Sequence, residues 1–233
     1  LVPRYLTLPL SERRHWNTLF PSAVHAFTCV TLSVYLLAQY REVASVANVF
    51  TWTSPASYIT LSFSWAYFTC DVLTVTNKNS APAPEQRRQW ALMMLHHAVC
   101  LIGLSGALST GLGHVHVLWL MLTEATTPFV NARWLLDKAG KKDSMLYVWN
   151  GVLMAAMWVL ARILPFPPYF WMLRLLLRLS EKPTQQQLPH DLLRLPFFWL
   201  PLLLAWLNSY WFILIVKGLV KHVTLRRWRH RNL

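Results

Sequence analysis

The segment "WALMMLHHAVCLIG" (Trp90–Gly103) decides the fold class. Apart from two adjacent histidines, His96 and His97, every residue in it is apolar or glycine. The run continues to Ser109, which brings it to the roughly 20 residues that carry a helix across a bilayer. Histidines in such a solvent are unusual, because ionisable groups at membrane depth are costly to desolvate.

Working outward, the same reading applies along most of the chain. The spacing of apolar runs predicts spans at 20–40, 55–75, 90–109, 113–132, 144–164 and 196–216. Pro55 and Pro196 open two of them, where a missing N–H costs little. The fourth span is interrupted by Glu124, Thr126, Thr127 and Asn131. The fold class that follows is all-α: a multi-pass membrane bundle of six transmembrane helices. Composition agrees, with 55% hydrophobic and only 13% charged residues in 233. Soluble domains carry about 25% charged residues.

The net charge of +13 could suggest nucleic acid in a soluble protein. Here the bases fall between and after the apolar runs, so they read as cytoplasmic loops facing anionic headgroups, and no nucleic-acid partner is expected. With both termini cytoplasmic, only Arg41, Arg162, Arg174, Arg178, Lys182 and Arg194 fall on the far side. The first twenty residues carry Arg4, Arg13, Arg14 and His15 and no apolar signal region. Cys29, Cys70 and Cys100 lie in apolar runs without a CxxC pair and read as small buried hydrophobes.

Between spans five and six, "YFWMLRLLLRLSE" (Tyr169–Glu181) is too short and basic to span. Arg174 and Arg178, four apart, share a helical face, which predicts an interfacial helix. "PFPP" ends span five, and the stretches 77–86 and 181–191 read as loops.

Asp71, His96, His97 and Glu124 are the ionisable groups of the central spans. At about 1.5 Å rise per residue they lie roughly 8–13 Å in from the cytoplasmic side, a common depth that predicts one site. Adjacent helical residues differ by about 100°, so one histidine faces the site and its neighbour faces another helix; His97 is taken as the inward one. Such a histidine–acid set either locks helices together or does chemistry, with His96 or His97 as general base or nucleophile and Glu124 or Asp71 as orienter. Adjacent histidines chelate awkwardly, so no metal is expected. No cofactor loop is present. His25 reads as a packed, hydrogen-bonded histidine, and His114 and His116 as an interfacial H-x-H.

Three segments in order resemble the TLC family (TRAM, LAG1 and CLN8 homology) over roughly residues 15–220. They are "SWAYFTCDVL" (Ser64–Leu73), "WALMMLHHAVCLIG" (Trp90–Gly103) and "LTEATTPFVNARWLL" (Leu122–Leu136). The resemblance implies a six-helix bundle around an intramembrane cavity, in the endoplasmic reticulum or another endomembrane. It divides the chain into a cytoplasmic segment 1–15, a TLC domain 16–220 and a basic cytoplasmic tail 221–233. The family's ceramide synthases acylate sphingoid bases from acyl-CoA, and their double histidine matches His96 and His97. Their paired-aspartate motif is absent. In its place stands Glu124, Thr127, Pro128, Phe129, Asn131 and Arg133, an E-x-x-T-P-F-x-N-x-R pattern similar to the TLC-domain-containing branch, whose members are tied to membrane lipid composition.

Pro128 removes the donor for the Glu124 carbonyl and predicts a bend, with Thr126 and Thr127 able to re-satisfy the backbone. The expected pocket is Asp71, His96, His97, Glu124, Thr127, Pro128 and Asn131. Its expected occupant is a membrane lipid or acyl chain, in a protein of lipid homeostasis that senses, transfers or chaperones it. An acyl-CoA-dependent N-acyltransferase, with catalytic His96 and His97, is the alternative reading. A trafficking scaffold acting through the basic tail is a third.

Overall fold

The computed structural model describes residues 2–45, 48–76, 84, 87–180, 195 and 198–231. Helices account for nearly all of them, and no strand occurs among the described residues. In chain order they are α1 (Val2–Thr7), α2 (Leu10–Val43), α3 (Pro55–Thr76), α4 (Arg87–Thr110), α5 (His114–Met121), α6 (Thr127–Lys138), α7 (Met145–Trp158), α8 (Phe166–Ser180) and α9 (Leu200–Arg231). A 3-10 turn, Leu122–Thr126, joins α5 to α6, and a π-helical turn, Val159–Ile163, extends α7.

The long helices close in a ring. α2 packs on α3, α3 on α4, α4 on α9, α9 on α7, α7 on α6, and α6 with the 3-10 turn returns to α2. Four helical stretches are long and apolar enough to cross a membrane: Glu12–Val43, Arg87–Thr110, Met145–Trp171 and Leu200–His222. The expected spans two and four are present as helix but fall short of that criterion, for different reasons. α3 is rich in hydroxyls, which lower its hydropathy; Thr60, Thr69, Thr74 and Thr76 turn back onto carbonyls of their own helix. The fourth is broken into α5 and α6 by the 3-10 turn.

The bundle is apolar outside and partly polar within. Phe20, Phe27, Ile59 and Trp171 are exposed, whereas His25, Ser57, Ser64, His114, Thr126 and Asn208 are buried. Small and polar side chains at helix contacts are what hold membrane bundles together, since lipid tails compete evenly for apolar ones. One apolar cluster, with Leu36, Leu61, Leu104 and Leu118, knits α2, α3, α4 and α5. The α4–α5 turn is tight because Gly111 and Gly113 take left-handed backbone, with φ of 68° and 74°. The Gly113 N–H then donates to the Phe50 carbonyl.

The stretch after "PFPP" forms α8 as expected, with Pro167 and Pro168 in its first turn. Tyr169 and Leu173 pack inward on Phe50 and Phe198, while Arg174 and Arg178 are exposed. The loop expected at 181–191 and most of 77–86 lie outside the described residues. The basic segment from Lys221 continues α9 as helix to Arg231. Of the cysteines, Cys29 is buried and Cys100 partly so, but Cys70 is exposed on the outer face of α3.

Candidate functional site

A cavity of about 910 Å³, its mouth included, opens between the helices. Its wall is largely apolar, from Phe68, Val99, Leu104, Leu120, Leu200 and Leu204. Polar groups enter it from separate elements: His25 on α2, Ser64 on α3, His96 and Cys100 on α4, Glu124 on the 3-10 turn and Asn208 on α9. Concave sites with an apolar wall and a few converging polar groups are where small ligands bind.

The two histidines divide as helix geometry requires, but in the opposite sense to the expectation. His96, not His97, lines the cavity. Its Nε2 lies 3.7 Å from Cys100 Sγ, its ring meets Trp211 edge-on, and its Nδ1 is buried without a partner among the described residues. His97 turns toward α3, where its Nε2 lies 3.5 Å from Asp71 Oδ2 and its ring packs on Phe68. Asp71 and His97 therefore form an interhelical pair beside the cavity. The common depth of the ionisable groups did not put all of them on one surface.

Glu124 lines the cavity, and its Oε2 accepts a 2.7 Å hydrogen bond from the Thr127 hydroxyl. Thr127 thus positions Glu124. Pro128 is exposed in the first turn of α6 and does not face the cavity. Its effect is on the backbone. The Glu124 carbonyl, deprived of a donor by Pro128, accepts the Thr127 N–H in a 3-10 bond. The Thr126 hydroxyl likewise covers the Thr123 carbonyl. Asn131 faces α2, with Nδ2 3.3 Å from the Leu19 carbonyl and 3.2 Å from Ser22 Oγ, so it fastens α6 and lies outside the cavity lining.

Sequence reasoning left out several lining groups. His25 is hydrogen-bonded as expected, Nε2 to Ser64 Oγ at 3.1 Å, and stacks on Tyr67. It also reaches the cavity. His114, expected at the interface, is fully buried between Ser57 and the Ala107 carbonyl. His116 lines the cavity and stacks on Phe50.

Arg162 is the largest departure. Assigned from the sequence to the far membrane surface, it is 6% exposed inside the bundle. It leaves the π-turn to reach Thr126 and Asn208, with its guanidinium over Trp158. Its interruption of an apolar run, four residues after Trp158, was the available signal.

Comparison with known proteins agrees with this architecture. The family model described as TLC domain matches residues 15–217. TLC domain-containing protein 4 A of Dictyostelium discoideum is 24% identical, over 93% of this chain and 79% of its own. TLC domain-containing protein 4-B of Danio rerio is 26% identical, over 94% and 79%. Protein CLN8 of Mus musculus is 26% identical, over 89% and 68%. No solved structure matches significantly. The likeness to the TLC domain-containing branch is thus stronger than a shared histidine pair alone would give, and the chain belongs to the TLC domain family.

Proposed function

We propose that the protein holds a lipid or acyl chain in its cavity and serves membrane lipid homeostasis by sensing, transferring or chaperoning that lipid. One observation carries this reading: an apolar-walled cavity lined also by a few polar groups, among them His96, Glu124 and Asn208, the mixed chemistry that suits an amphiphile. Membership of a family whose members belong to lipid biology supports it. Residence in the endoplasmic reticulum or another endomembrane, with both termini cytoplasmic, accompanies the proposal.

Gly103 supplies the test. It lines the cavity, and a Cβ there would meet only Leu200 Cδ1, at 4.0 Å. Gly103→Phe therefore fills the space without forcing backbone apart. Native mass spectrometry of the wild type should show a retained lipid, and the variant should lose it while remaining folded. An undiminished lipid signal in a folded Gly103→Phe protein would refute occupancy of this cavity.

A second reading has its own observation. His96 lines the cavity and its buried Nδ1 has no partner among the described residues, so a turn of the ring would bring an uncommitted nitrogen to a substrate as general base or nucleophile. In that reading acyl-CoA is the acyl donor and the product an amide. Purified protein would then turn over acyl-CoA, and His96→Ala would abolish turnover without unfolding the bundle. Unchanged turnover in that variant would dismiss His96 as a catalytic residue.

A further inference from the structure

Cys100 stands apart from the other two cysteines. Cys29 is sealed, with its Sγ 2.8 Å from Ser64 Oγ. Cys70 is exposed and does not line the cavity. Cys100 lines the cavity and is only partly buried, so a molecule held there can touch its sulfur. It sits where the apolar cluster of Leu104 and Met121 meets that of Val99 and Leu204, and all four of those side chains line the cavity.

A cysteine in an apolar wall is by itself only a small hydrophobe. His96 changes that. It lies one helical turn earlier on α4, lines the same cavity and is 9% exposed. Its Nε2 is 3.7 Å from Cys100 Sγ, while Nδ1 has no partner among the described residues. The thiol is therefore the only hydrogen-bonding group that the ring meets among those residues. Histidines that fasten helices spend a nitrogen on another helix, as His97 does on Asp71, His25 on Ser64 and His114 on Ser57. His96 makes no such bond among the described residues. A thiol beside an imidazole is the arrangement of an activated nucleophile and its base.

We propose that Cys100 is the acyl-accepting thiol of the cavity, with His96 as its base, and that its substrate is a long-chain acyl thioester. This rests on the acyl-transfer reading above and names the group that carries the chain. Nε2 takes the thiol proton as Sγ attacks the carbonyl carbon of acyl-CoA. The bond from that carbon to the sulfur of coenzyme A breaks. Coenzyme A leaves as a thiolate and recovers the proton from His96. One thioester is exchanged for another, with no oxidant or reductant. The chain then lies along the apolar wall, where exclusion of water protects the protein thioester from hydrolysis. An amine that later attacks it receives the chain and returns Cys100 to the thiol.

The test uses the full chain purified in a neutral detergent and given hexadecanoyl-CoA without an amine. Intact-protein mass spectrometry should show one added hexadecanoyl group, peptide mapping should place it on Cys100, and one coenzyme A should be released per chain in a burst. Neutral hydroxylamine should remove the group. Cys70→Ala should leave the adduct in place, and Cys100→Ala should abolish it. Should Cys100→Ala fail to fold, Cys100→Ser keeps the shape and should lose the hydroxylamine-labile adduct. His96→Gln should form the adduct about 10²–10⁴-fold more slowly near neutral pH. In that variant the rate should climb about tenfold per pH unit, because only thiolate formed without a base then reacts, a dependence that a merely structural histidine would not confer.

An adduct on Cys70 in place of Cys100, or one that resists hydroxylamine, would overturn the proposal. Continued release of coenzyme A by a folded Cys100→Ala chain would overturn it too, and would leave the acyl-transfer reading with His96 itself as nucleophile. Absence of both adduct and coenzyme A release in the wild type would overturn the proposal together with that reading.

Discussion

Asp71 and His97 should be energetically coupled, whereas Asp71 and His96 should not. The two side chains of the first pair are 3.5 Å apart and only 14% and 10% exposed. His97 Nδ1 has no partner among the described residues, so the proton of a neutral ring is better placed on Nε2, facing the carboxylate. A hydrogen bond to a charged group contributes about 1.5–3 kcal/mol. If the ring is also charged, Coulomb's law at an effective dielectric of 20 sets a ceiling of about 5 kcal/mol for this separation.

The measurement is a double-mutant cycle with Asp71→Asn and His97→Gln, read by thermal unfolding in detergent through tryptophan fluorescence, for which the chain has 13 reporters. At about 2–4 °C per kcal/mol for this chain length, the coupling should appear as a non-additivity of about 3–12 °C. The parallel cycle with His96→Gln should be additive within about 0.5 kcal/mol, since His96 points away into the cavity. Additivity in the first cycle, or coupling of equal size in the second, would refute the division of labour between the two histidines.

Thr127→Val should cost about 1.5–3 kcal/mol by removing the hydroxyl that holds the Glu124 carboxylate, with Glu124→Gln combined with it recovering part of the loss in the same unfolding assay. Gly111→Ala should lower stability by about 1–2 kcal/mol from its φ of 68° alone, plus the 2.8 Å approach of the new Cβ to Tyr58 Oη. Adding Tyr58→Phe should relieve the contact but not the backbone strain, so full rescue would contradict this account. Leu207→Ala, at a fully buried position, should cost about 2–5 kcal/mol. Outside the spans, the Asp137 hydrogen bond holds the Lys142 amine above its ordinary range. Its contribution is therefore present below about pH 10 and lost as pH rises through the raised value; Lys142 is exposed and Asp137 only half-buried, so Lys142→Ala should change stability by less than about 1 kcal/mol.

Much of the architecture was legible because hydropathy is a local property. A run such as Trp90–Ser109 must form its backbone hydrogen bonds internally if it enters lipid, so its length and composition specify a helix without reference to any neighbour. The same locality explains Pro128. Loss of the Glu124 carbonyl's donor follows from the sequence, and so does the availability of nearby threonines to repair it. The repair took the form of a 3-10 turn ahead of the proline, which also set α5 and α6 apart as separate helices.

What the amino-acid sequence determined by itself is the helical class, the apolar segments, the two histidines about 100° apart and the kinship marked by the "TPFVN" segment. The tertiary structure alone decided which histidine faces the cavity, because helices apolar on nearly all sides carry no periodic signal of their inward face. It also decided that Asp71 pairs with His97, and that Asn131 fastens α6 to α2. Arg162 was decided the same way. Its partners stand 36 and 46 residues away, and only closure of the ring turns an arginine near the end of an apolar run into a buried cation held by Thr126 and Asn208.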